Sequence, residues 1–262
     1  MLSAIKNSLS KIDLGPLILE ERCRLCRELV EADVSWTFSD WQGKLDTIFG
    51  TTVKSKYKTL CLSCSSRLEL AEHGFSELKI SGSNKSLTVI SAGRYKNDLR
   101  KLIRNLKYQD DRLIAYDLAL LLVGAIEQRR ARGELPLPFG RDNLILVPVP
   151  LHRKKLRKRG FNQAELIASE LAKLMNLQMH RKLLIRTRDT EPQFNLSKEE
   201  RQTNLVGAFK VHPQKLVNKT VVLIDDLTTT GTTIIECART ISEHQSKITR
   251  RLNPLMALTV GS

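Results

Sequence analysis

The chain has no long hydrophobic run, and this argues against a membrane-spanning helix. Its longest apolar stretch, Leu118 to Ile126, is far shorter than the roughly 20 residues that such a helix needs. The N-terminal segment also lacks the continuous apolar stretch of a secretory signal. We therefore expect a cytoplasmic protein without a membrane span, in which the Leu118 segment forms a core helix.

Acidic residues are also in short supply. The 28 Asp and Glu residues are outnumbered by 43 Lys and Arg residues, which gives a formal net charge of +15. This excess favours a polyanionic partner, whether a small phosphorylated molecule, nucleic acid or an acidic lipid surface, and charge alone does not choose among them. The 262 residues suffice for one sizeable α/β domain and a smaller module.

Cysteine is sparse but ordered. Four of the five cysteines form two CxxC pairs with 34 residues between them. The pairs supply the four thiolates of a structural zinc site, although the gap exceeds that of an ordinary zinc ribbon. A redox CxxC or unpaired structural thiols are the alternatives. The expected ligands are Cys23, Cys26, Cys61 and Cys64. His73 is a possible substitute ligand or a surface side chain, and Cys237 is most simply a core residue.

Aromatic and basic residues lie between the two CxxC pairs. They can stack on the bases of a single nucleic-acid strand, or they can cover a metal module too small for its own core. These residues are Trp36, Phe38, Trp41, Lys54, Lys56 and Lys58. The polar, turn-forming stretch from Ser81 to Lys85 indicates a domain boundary. We expect a zinc module over residues 1–82 and a second domain over residues 86–262.

The second domain alternates strand and helix patterns, which predicts a parallel sheet with helices on its faces. No internal repeat is visible, and a Pro- and Gly-containing loop is expected at Pro136 to Gly140. The expected strands are 87–92, 144–149, 183–185, 208–211, 221–224 and 255–260. The expected helices cover 99–106, 114–125, 162–175 and the residues after Thr233.

The most informative segment is VVLIDDLTTTGTT, from Val221 to Thr233. Its apolar residues predict a buried parallel strand that delivers Asp225 and Asp226 to the carboxyl edge of the sheet. The following turn leads into a helix whose first N–H groups and hydroxyls suit a phosphate monoester. Ionised acids only accept hydrogen bonds, so they suit the two hydroxyls of a sugar diol. The expected phosphate-binding residues are Thr228, Thr229, Thr230, Gly231, Thr232 and Thr233.

This segment resembles the phosphoribosyl pyrophosphate (PRPP) motif of type I phosphoribosyltransferases. It lacks the lysine of the GxxxxGK[ST] loop of nucleotide triphosphatases. An ordinary strand–turn–helix crossover with capping threonines is the alternative. Because the acids end a strand at the sheet's edge, we expect Asp225 and Asp226 to be replaceable by Asn with little loss of stability.

A second cluster follows the strand at Leu144. Six of the seven residues from Arg153 to Arg159 are basic. Gly160 then permits a tight turn into a helix that opens with Asn162 and Gln163. A basic loop at the carboxyl end of a strand is where a pyrophosphate could bind. A solvated basic helix face or a nucleic-acid patch is the alternative. The expected pyrophosphate residues are Arg153, Lys154, Arg157, Lys158, Arg159 and Gly160.

Residues 86 to 260 resemble the ComF family of bacterial competence proteins, which is related to amidophosphoribosyltransferase-like proteins. The resemblance rests on Leu106–Lys107–Tyr108 with Asp111, on the segments from Val147 and Arg186, and on the PRPP motif. A four-cysteine module ahead of the domain also belongs to the family pattern. One departure is Asp110, where the family generally carries glycine.

The resemblance implies a type I phosphoribosyltransferase-like domain with a mobile hood. The hood residues would be Arg188, Thr190, Gln193 and Arg201. It also implies that magnesium binds with PRPP, and that Asp225 and Asp226 hold the ribose and its reacting carbon. A surface loop leading to a helix that is capped at Ser197 is the alternative for the hood.

Three functions follow as expectations. The first, favoured by the resemblance, is a competence factor that moves single-stranded DNA inward, with components of a DNA-uptake machinery as partners. The second is a phosphoribosyltransferase with an unidentified acceptor. The third is a regulator that binds PRPP without chemistry, since a fold does not by itself grant an activity.

Overall fold

The structure is a computed structural model of the chain. It describes residues 22–30, 59–68, 70–71, 74–80, 86–135, 144–190, 204–212, 219–248 and 254–262. Several residues considered above lie outside these ranges. They are His73, the aromatic and basic residues between the CxxC pairs, the boundary stretch from Ser81 to Lys85, the loop from Pro136 to Gly140, Ser197, and the hood residues Gln193 and Arg201.

The described residues form eight strands and six helices, in the α/β order that the sequence predicts. The strands are β1 (Phe75–Lys79), β2 (Ser86–Gly93), β3 (Leu144–Pro148), β4 (Gln178–Met179), β5 (Leu184–Arg186), β6 (Phe209–Val211), β7 (Thr220–Leu227) and β8 (Leu255–Gly261). The helices are α1 (Leu62–Ser65), α2 (Asn97–Tyr108), α3 (Ile114–Ala131), α4 (Arg153–Arg159), α5 (Gln163–Met175) and α6 (Thr232–Ile248).

Six strands form one sheet in the order β1-β2-β8-β7-β3-β4. Every neighbouring pair is parallel except β1 and β2, which are antiparallel. Strand β7 lies inside the sheet between β8 and β3, so its carboxyl end is flanked by theirs. The strand with the acid pair therefore ends where three parallel strands meet the same edge, and this position is typical of ligand sites in α/β proteins.

Alternate side chains of the central strands enter two separate cores. Val222 and Ile224 of β7 face the core that includes α2, α3 and α5, whereas Val221 and Leu223 face the core that includes α6. This alternation follows from the two-residue period of a strand, and a strand buried on both faces reads as a continuous apolar run. The two cores explain why residues 221–224 contain only Val, Leu and Ile.

The apolar spacing of α2 also explains its packing. Leu99, Leu102, Ile103 and Leu106 recur at intervals of three and four residues and are all buried on one face. This face packs in the same core as α3. The opposite face carries the exposed residues Lys101 and Arg104, so the helix is amphipathic. Packing of the apolar face holds the helix beside the sheet.

Strands β5 and β6 differ from the expected arrangement. They pair antiparallel with each other in a separate two-stranded sheet, rather than joining the parallel sheet. Each has three residues, and the apolar pattern of so short a strand does not specify its partner. Phe209 of β6 packs in the α6 core, which holds this small sheet on that side of the molecule.

The N-terminal residues share a core with the sheet domain. Cys23, Leu60 and Cys64 are buried together with residues of α2 and α3. Strand β1 also precedes the expected boundary and extends the main sheet by pairing with β2. The boundary between residues 82 and 86 stays a prediction, but the contacts join the two parts of the chain closely.

The sequence predicts that no helix of the protein crosses a membrane. Among the described residues, no helix combines the length and the apolar character needed to cross a membrane. Helix α3 contains the Leu118 segment, and nearly all of its apolar side chains are buried against the rest of the protein.

Candidate functional site

The acid pair lies near the carboxyl end of β7, as the sequence predicts. Both side chains are buried, Asp225 with 9% and Asp226 with 2% of its surface exposed. The backbone N–H of Asp226 donates a hydrogen bond of 2.9 Å to Oδ1 of Asp225. The burial contradicts the view of these acids as freely replaceable edge residues, because a buried carboxylate needs compensating partners.

Asp226 has two such partners from distant parts of the chain. Nζ of Lys107, in the last turn of α2, forms an ion pair with Oδ2 of Asp226. Nε2 of Gln163, the first residue of α5, donates a hydrogen bond of 2.9 Å to Oδ1. Each carboxylate oxygen is thus engaged once, and each still has capacity to accept another hydrogen bond.

The pKa values of Asp225 and Lys107 are both shifted. Burial, together with the negative charge of Asp226, raises the pKa of Asp225 well above its usual value. Burial acts to lower the pKa of Lys107, but the charge and hydrogen bonding of Asp226 outweigh it and raise this pKa. The site therefore combines Asp226, held by Lys107, with a neighbouring acid, Asp225, whose raised pKa favours its protonated form.

The Thr-rich loop follows directly on the acid pair. The N–H of Thr228 donates to the carbonyl of Gly261 at 2.9 Å, which fixes the start of the loop to β8. Gly231 has a φ of +74°, in the region that favours glycine. Helix α6 begins at the next residue, Thr232, whose hydroxyl lies 2.8 Å from that of Thr230. Thr228 to Thr233 thus surround a helix N-terminus, as the phosphate-binding prediction requires.

The basic segment from Arg153 to Arg159 is a helix, α4, and not the expected loop. Nδ1 of His152 accepts a hydrogen bond from the N–H of Lys154 at the start, and Gly160 ends the helix with a φ of +83°. Six cations in seven residues leave no apolar period to signal a helix. The two capping residues supply that signal instead.

The helical spacing of α4 separates its cations into two sets. Lys155 and Arg159 are four residues apart and partly buried, whereas Arg153, Lys154, Arg157 and Lys158 are exposed. Nη1 of Arg159 donates a hydrogen bond to Oε1 of Gln163, which in turn holds Asp226. Of the predicted pyrophosphate residues, Arg159 is therefore the one connected to the acid pair.

The start of the expected hood lies against α4. Asp189 forms an ion pair with Nζ of Lys154 at 2.9 Å, and its Oδ1 lies 3.1 Å from Nδ1 of His152. Arg188 donates to the carbonyl of Asn204, and Thr190 is buried and accepts a hydrogen bond from Arg186. These contacts hold the start of the segment against α4, β5 and Asn204.

Helix α6 anchors the other end of that segment. Oε1 of Glu236 accepts a hydrogen bond of 2.7 Å from the N–H of Gly207, and both carboxylate oxygens accept from Arg239. Glu236 is buried, so this contact ties the chain before β6 to the helix that begins at the Thr-rich loop. The described chain is therefore held by hydrogen bonds at Arg188 and Thr190, and again at Gly207.

Four residues of the site were not among the predicted site residues. They are Lys107, Lys155, Gln163 and Arg186. Burial lowers the pKa of Arg186 while the charges of nearby groups, including Asp225, oppose this shift. Burial and the charge of Arg186 lower the pKa of Lys155. Lys107 and Arg186 therefore interact with the acid pair, and Lys155 lies near Arg186. These three cations come from separate segments that only the fold brings together.

Asp110 shows why glycine suits its position. Its φ is +54°, in the left-handed region, where Asp is tolerated better than most residues. Its carboxylate accepts a 2.7 Å hydrogen bond from Nε of Arg112, which stabilises the turn locally. The turn therefore forms with aspartate at position 110, where the family generally carries glycine.

The four paired cysteines lie together in the N-terminal part of the chain. The sulfur atoms of Cys23, Cys26, Cys61 and Cys64 are all within 4.8 Å of one another. Burial raises the pKa of the Cys23 thiol, but hydrogen bonds from backbone N–H groups outweigh this and lower it to about 6. Four thiols at these distances could hold a tetrahedral zinc ion.

The cysteine cluster contacts the helix that carries Lys107. Nε of Arg24, next to Cys23, pairs with Asp111 at 2.9 Å, and Nε of Arg67 pairs with Asp98 at 2.9 Å. Nη2 of Arg67 also donates to Sγ of Cys64 at 3.1 Å. The cluster therefore contacts the chain near both ends of α2.

Comparison with known proteins identifies the relatives of the chain. Competence protein F of Haemophilus influenzae is 31% identical over 182 residues, which cover 68% of this chain and 76% of that protein. The chain belongs to the ComF family. Competence protein ComFC of Bacillus subtilis is 34% identical over 103 residues, covering 38% of this chain and 39% of that protein.

A second group of ComF relatives has another name. DNA utilization protein YhgH of Escherichia coli is 34% identical over 152 residues, which cover 58% of this chain and 64% of that protein. The ComF chain thus spans slightly less than two thirds of this relative. No protein-family model matches the chain, and neither does any solved structure.

Proposed function

We propose that this ComF-family chain acts in the cytoplasm in the inward transfer of single-stranded DNA, and that it binds PRPP at the carboxyl edge of its sheet. The DNA role is supported by the names of its relatives, competence proteins and a DNA utilization protein. The partners on this view are single-stranded DNA and components of a DNA-uptake machinery. The sheet domain would then be of the type I phosphoribosyltransferase kind.

The PRPP proposal rests on one observation. Asp225 and Asp226 end a central parallel strand, and Thr228 to Thr233 lead from them into the N-terminus of α6. N–H groups at a helix start attract a phosphate, and carboxylates beside it accept hydrogen bonds from a diol. The ribose 5-phosphate part of PRPP presents both groups.

The surrounding cations suit the pyrophosphate part of PRPP. Lys155 and Arg159 on the inner side of α4, together with Arg186, would attract its negative charge. Magnesium bound with PRPP would neutralise part of the same charge. Gln163 and Lys107 would keep the Asp226 carboxylate oriented, so that its remaining lone pairs meet the ribose hydroxyls.

The exposed cations of α4 suit a longer polyanion. Arg153, Lys154, Arg157 and Lys158 point away from the acid pair and can contact phosphates of a DNA strand. Such contacts release counterions, so affinity for single-stranded DNA should fall with salt by a log–log slope of about 0.7 per phosphate.

One experiment tests the DNA part of the proposal and whether PRPP affects it. Affinity for a fluorescent single-stranded oligonucleotide is measured across salt concentrations, with and without PRPP and magnesium. We expect salt-dependent binding that PRPP changes little, because the inner and outer sides of α4 serve different ligands. Absence of DNA binding even at low salt would contradict the DNA role, and the transferase or PRPP-sensor hypothesis would take its place.

The PRPP site has its own measurement. Thr230→Val removes an exposed hydroxyl from the loop and should weaken PRPP binding in calorimetry, whereas Thr240→Val, farther along α6, should not. Release of pyrophosphate from PRPP in the presence of nucleobases or DNA would indicate a transferase activity. Equal PRPP affinities of both variants would contradict the phosphate assignment.

A further inference from the structure

Tyr108 is an exposed aromatic residue beside the acid pair. It is the last residue of α2, and 72% of its surface is accessible. The preceding residue, Lys107, forms the ion pair with Asp226. Exposure of a tyrosine to this extent gives little packing energy, so its position beside the site calls for another explanation.

An arginine lies over the ring of Tyr108. The guanidinium carbon of Arg159 is 5.6 Å from the ring centroid, a distance typical of a cation–π contact. Arg159 is itself held by Gln163, which fixes the guanidinium next to the ring. The large exposed fraction leaves ring surface available to a second planar group.

A second arginine–aromatic pair lies next to the first in the chain. The guanidinium carbon of Arg112 is 4.9 Å from the ring centroid of Phe161, which is buried. Arg112 is half exposed, and its nearest acid is the exposed Asp110. Gly160 separates Arg159 from Phe161 in sequence and has no side chain to cover either arginine.

The charge around Tyr108 is mainly positive. The exposed side of α4 adds four cations within seven residues. Nearby acids are paired with cations: Asp110 with Arg112, Asp111 with Arg24, Asp189 with Lys154 and Asp226 with Lys107. The exposed ring is therefore bordered by groups that attract phosphates, and aromatic rings interleaved with cations are characteristic of single-strand binding surfaces.

We propose that Tyr108 is a stacking platform for an unpaired base of single-stranded DNA, with Arg159 supporting its ring and the outer side of α4 contacting the adjoining phosphates. This inference rests on the proposed DNA function. A duplex does not fit the same role, because its bases are already stacked on each other.

The test compares two strands of equal length and charge. One is an oligothymidine, and the other is an abasic phosphodiester without bases. The full-length protein should bind the oligothymidine more tightly in fluorescence anisotropy at fixed salt. Since a stacked base contributes about 1–3 kcal/mol, Tyr108→Ala should lose roughly 5-fold to 150-fold in affinity for that strand alone. Tyr108→Phe should retain it.

Two controls separate stacking from charge. Leu113→Ala, at another exposed apolar residue nearby, should bind both strands like the wild type. Replacement of Tyr108 by Leu should behave like the Ala variant, because an aliphatic side chain has no π-face. A strand containing 2-aminopurine should lose fluorescence on binding to the wild type and not to Tyr108→Ala.

The outcomes are distinguishable. Equal affinities of the wild type and Tyr108→Ala for oligothymidine, with salt-dependent binding intact, would overturn the platform and leave the DNA function standing. Equal losses of affinity for both strands would mean that the tyrosine acts only by positioning the charged side chain of Arg159. This result would also overturn the platform. Competition by free nucleobases at Tyr108 would assign the platform to a small acceptor instead. No binding of either strand would refute the proposed DNA function itself.

Discussion

Lys107 of α2 and Asp226 of β7 form an ion pair in which both side chains are largely removed from water. The pair joins a helix that packs in one core to the strand that carries the acid pair. A carboxylate buried in this way is stable only with its partner, because an unpaired charge in the interior costs several kcal/mol. The acid pair therefore contributes to the fold as well as to the site.

Lys107→Met should destabilise the protein strongly. It leaves Asp226 without its cation, and removal of one partner of a buried pair costs about 3–5 kcal/mol. Lys101→Met, in the same helix, is the matched control: Lys101 is 67% exposed and pairs with Asp98 at 3.5 Å, so its loss should cost less than about 1 kcal/mol. Urea unfolding measures both.

A double variant then tests whether the cost comes from the pair. Lys107→Met combined with Asp226→Asn removes both charges, so it should lose less stability than the sum of the single variants. Additive losses would mean that the two side chains do not interact in solution.

The pH dependence of stability should change in Asp225→Asn. The raised pKa of Asp225 means that the native state binds its proton more tightly than the unfolded chain, where the value is near 3.8. This stabilisation is complete below the unfolded pKa and is lost as pH rises through the native pKa. The asparagine variant cannot ionise, so its stability relative to the wild type should increase with pH.

Urea unfolding between about pH 4 and about pH 9 provides the measurement. Asp110→Asn is a suitable control, because that side chain is 63% exposed and asparagine also tolerates the left-handed backbone. A constant difference between Asp225→Asn and the wild type across this range would contradict the prediction.

Removal of metal should affect α2 more than α6. We expect one zinc per chain, held by the four clustered thiols, and unchanged zinc content in Cys237→Ala because that cysteine lies in the other core. Chelation should accelerate hydrogen exchange across Asn97–Tyr108, since Cys23 and Cys64 share a core with this helix. Exchange across α6 serves as the internal reference.

The same experiment addresses the expected independence of the N-terminal module. If chelation changed exchange only in residues before Ser81, the module would unfold by itself, as two separate domains would. If mass spectrometry finds no stoichiometric zinc in protein purified without chelators, the result would contradict the metal assignment.

Gly231→Ala should combine two penalties. Its φ of +74° costs an ordinary residue about 1–2 kcal/mol, and a Cβ there would lie 2.4 Å from Cδ1 of Leu78. Gly133→Ala, with a φ of +68° and nothing within 4 Å of the added atom, should incur only the first penalty. Thermal unfolding compares the two variants, and Leu78→Ala should partly rescue Gly231→Ala. Equal losses in both glycine variants would exclude the clash.

The strongly apolar strands were the most predictable part of the fold. Residues 87–92, 144–149 and 221–224 are buried on both faces of a parallel sheet, so their composition alone indicates a strand. The acid pair and the Thr-rich loop directly follow residues 221–224 in sequence, so their positions could be predicted from the same segment. Local order thus explains why the positions of Asp225, Asp226 and Gly231 between β7 and α6 could be predicted.

Contacts between distant segments could not be predicted in the same way. Lys107 lies 119 positions before Asp226, and nothing in either segment indicates the other. Lys155 was indistinguishable from its basic neighbours until the helical period of α4 turned it inward. Strand β1 has exposed side chains at most positions, so its apolar pattern was too weak to suggest that it joins the sheet.

Strand β1 also forms the outer edge of the main sheet beside β2, which is the edge that another molecule would contact. It covers the hydrogen-bonding edge of β2, whose residues from Leu87 to Gly93 are all buried, and it presents Glu77 and Lys79 outward. Charged edge strands discourage pairing between molecules. A chain shortened to begin at Ser86 would expose an apolar, unpaired edge and should form intermolecular sheet, so the strand before the sheet domain protects the protein against aggregation.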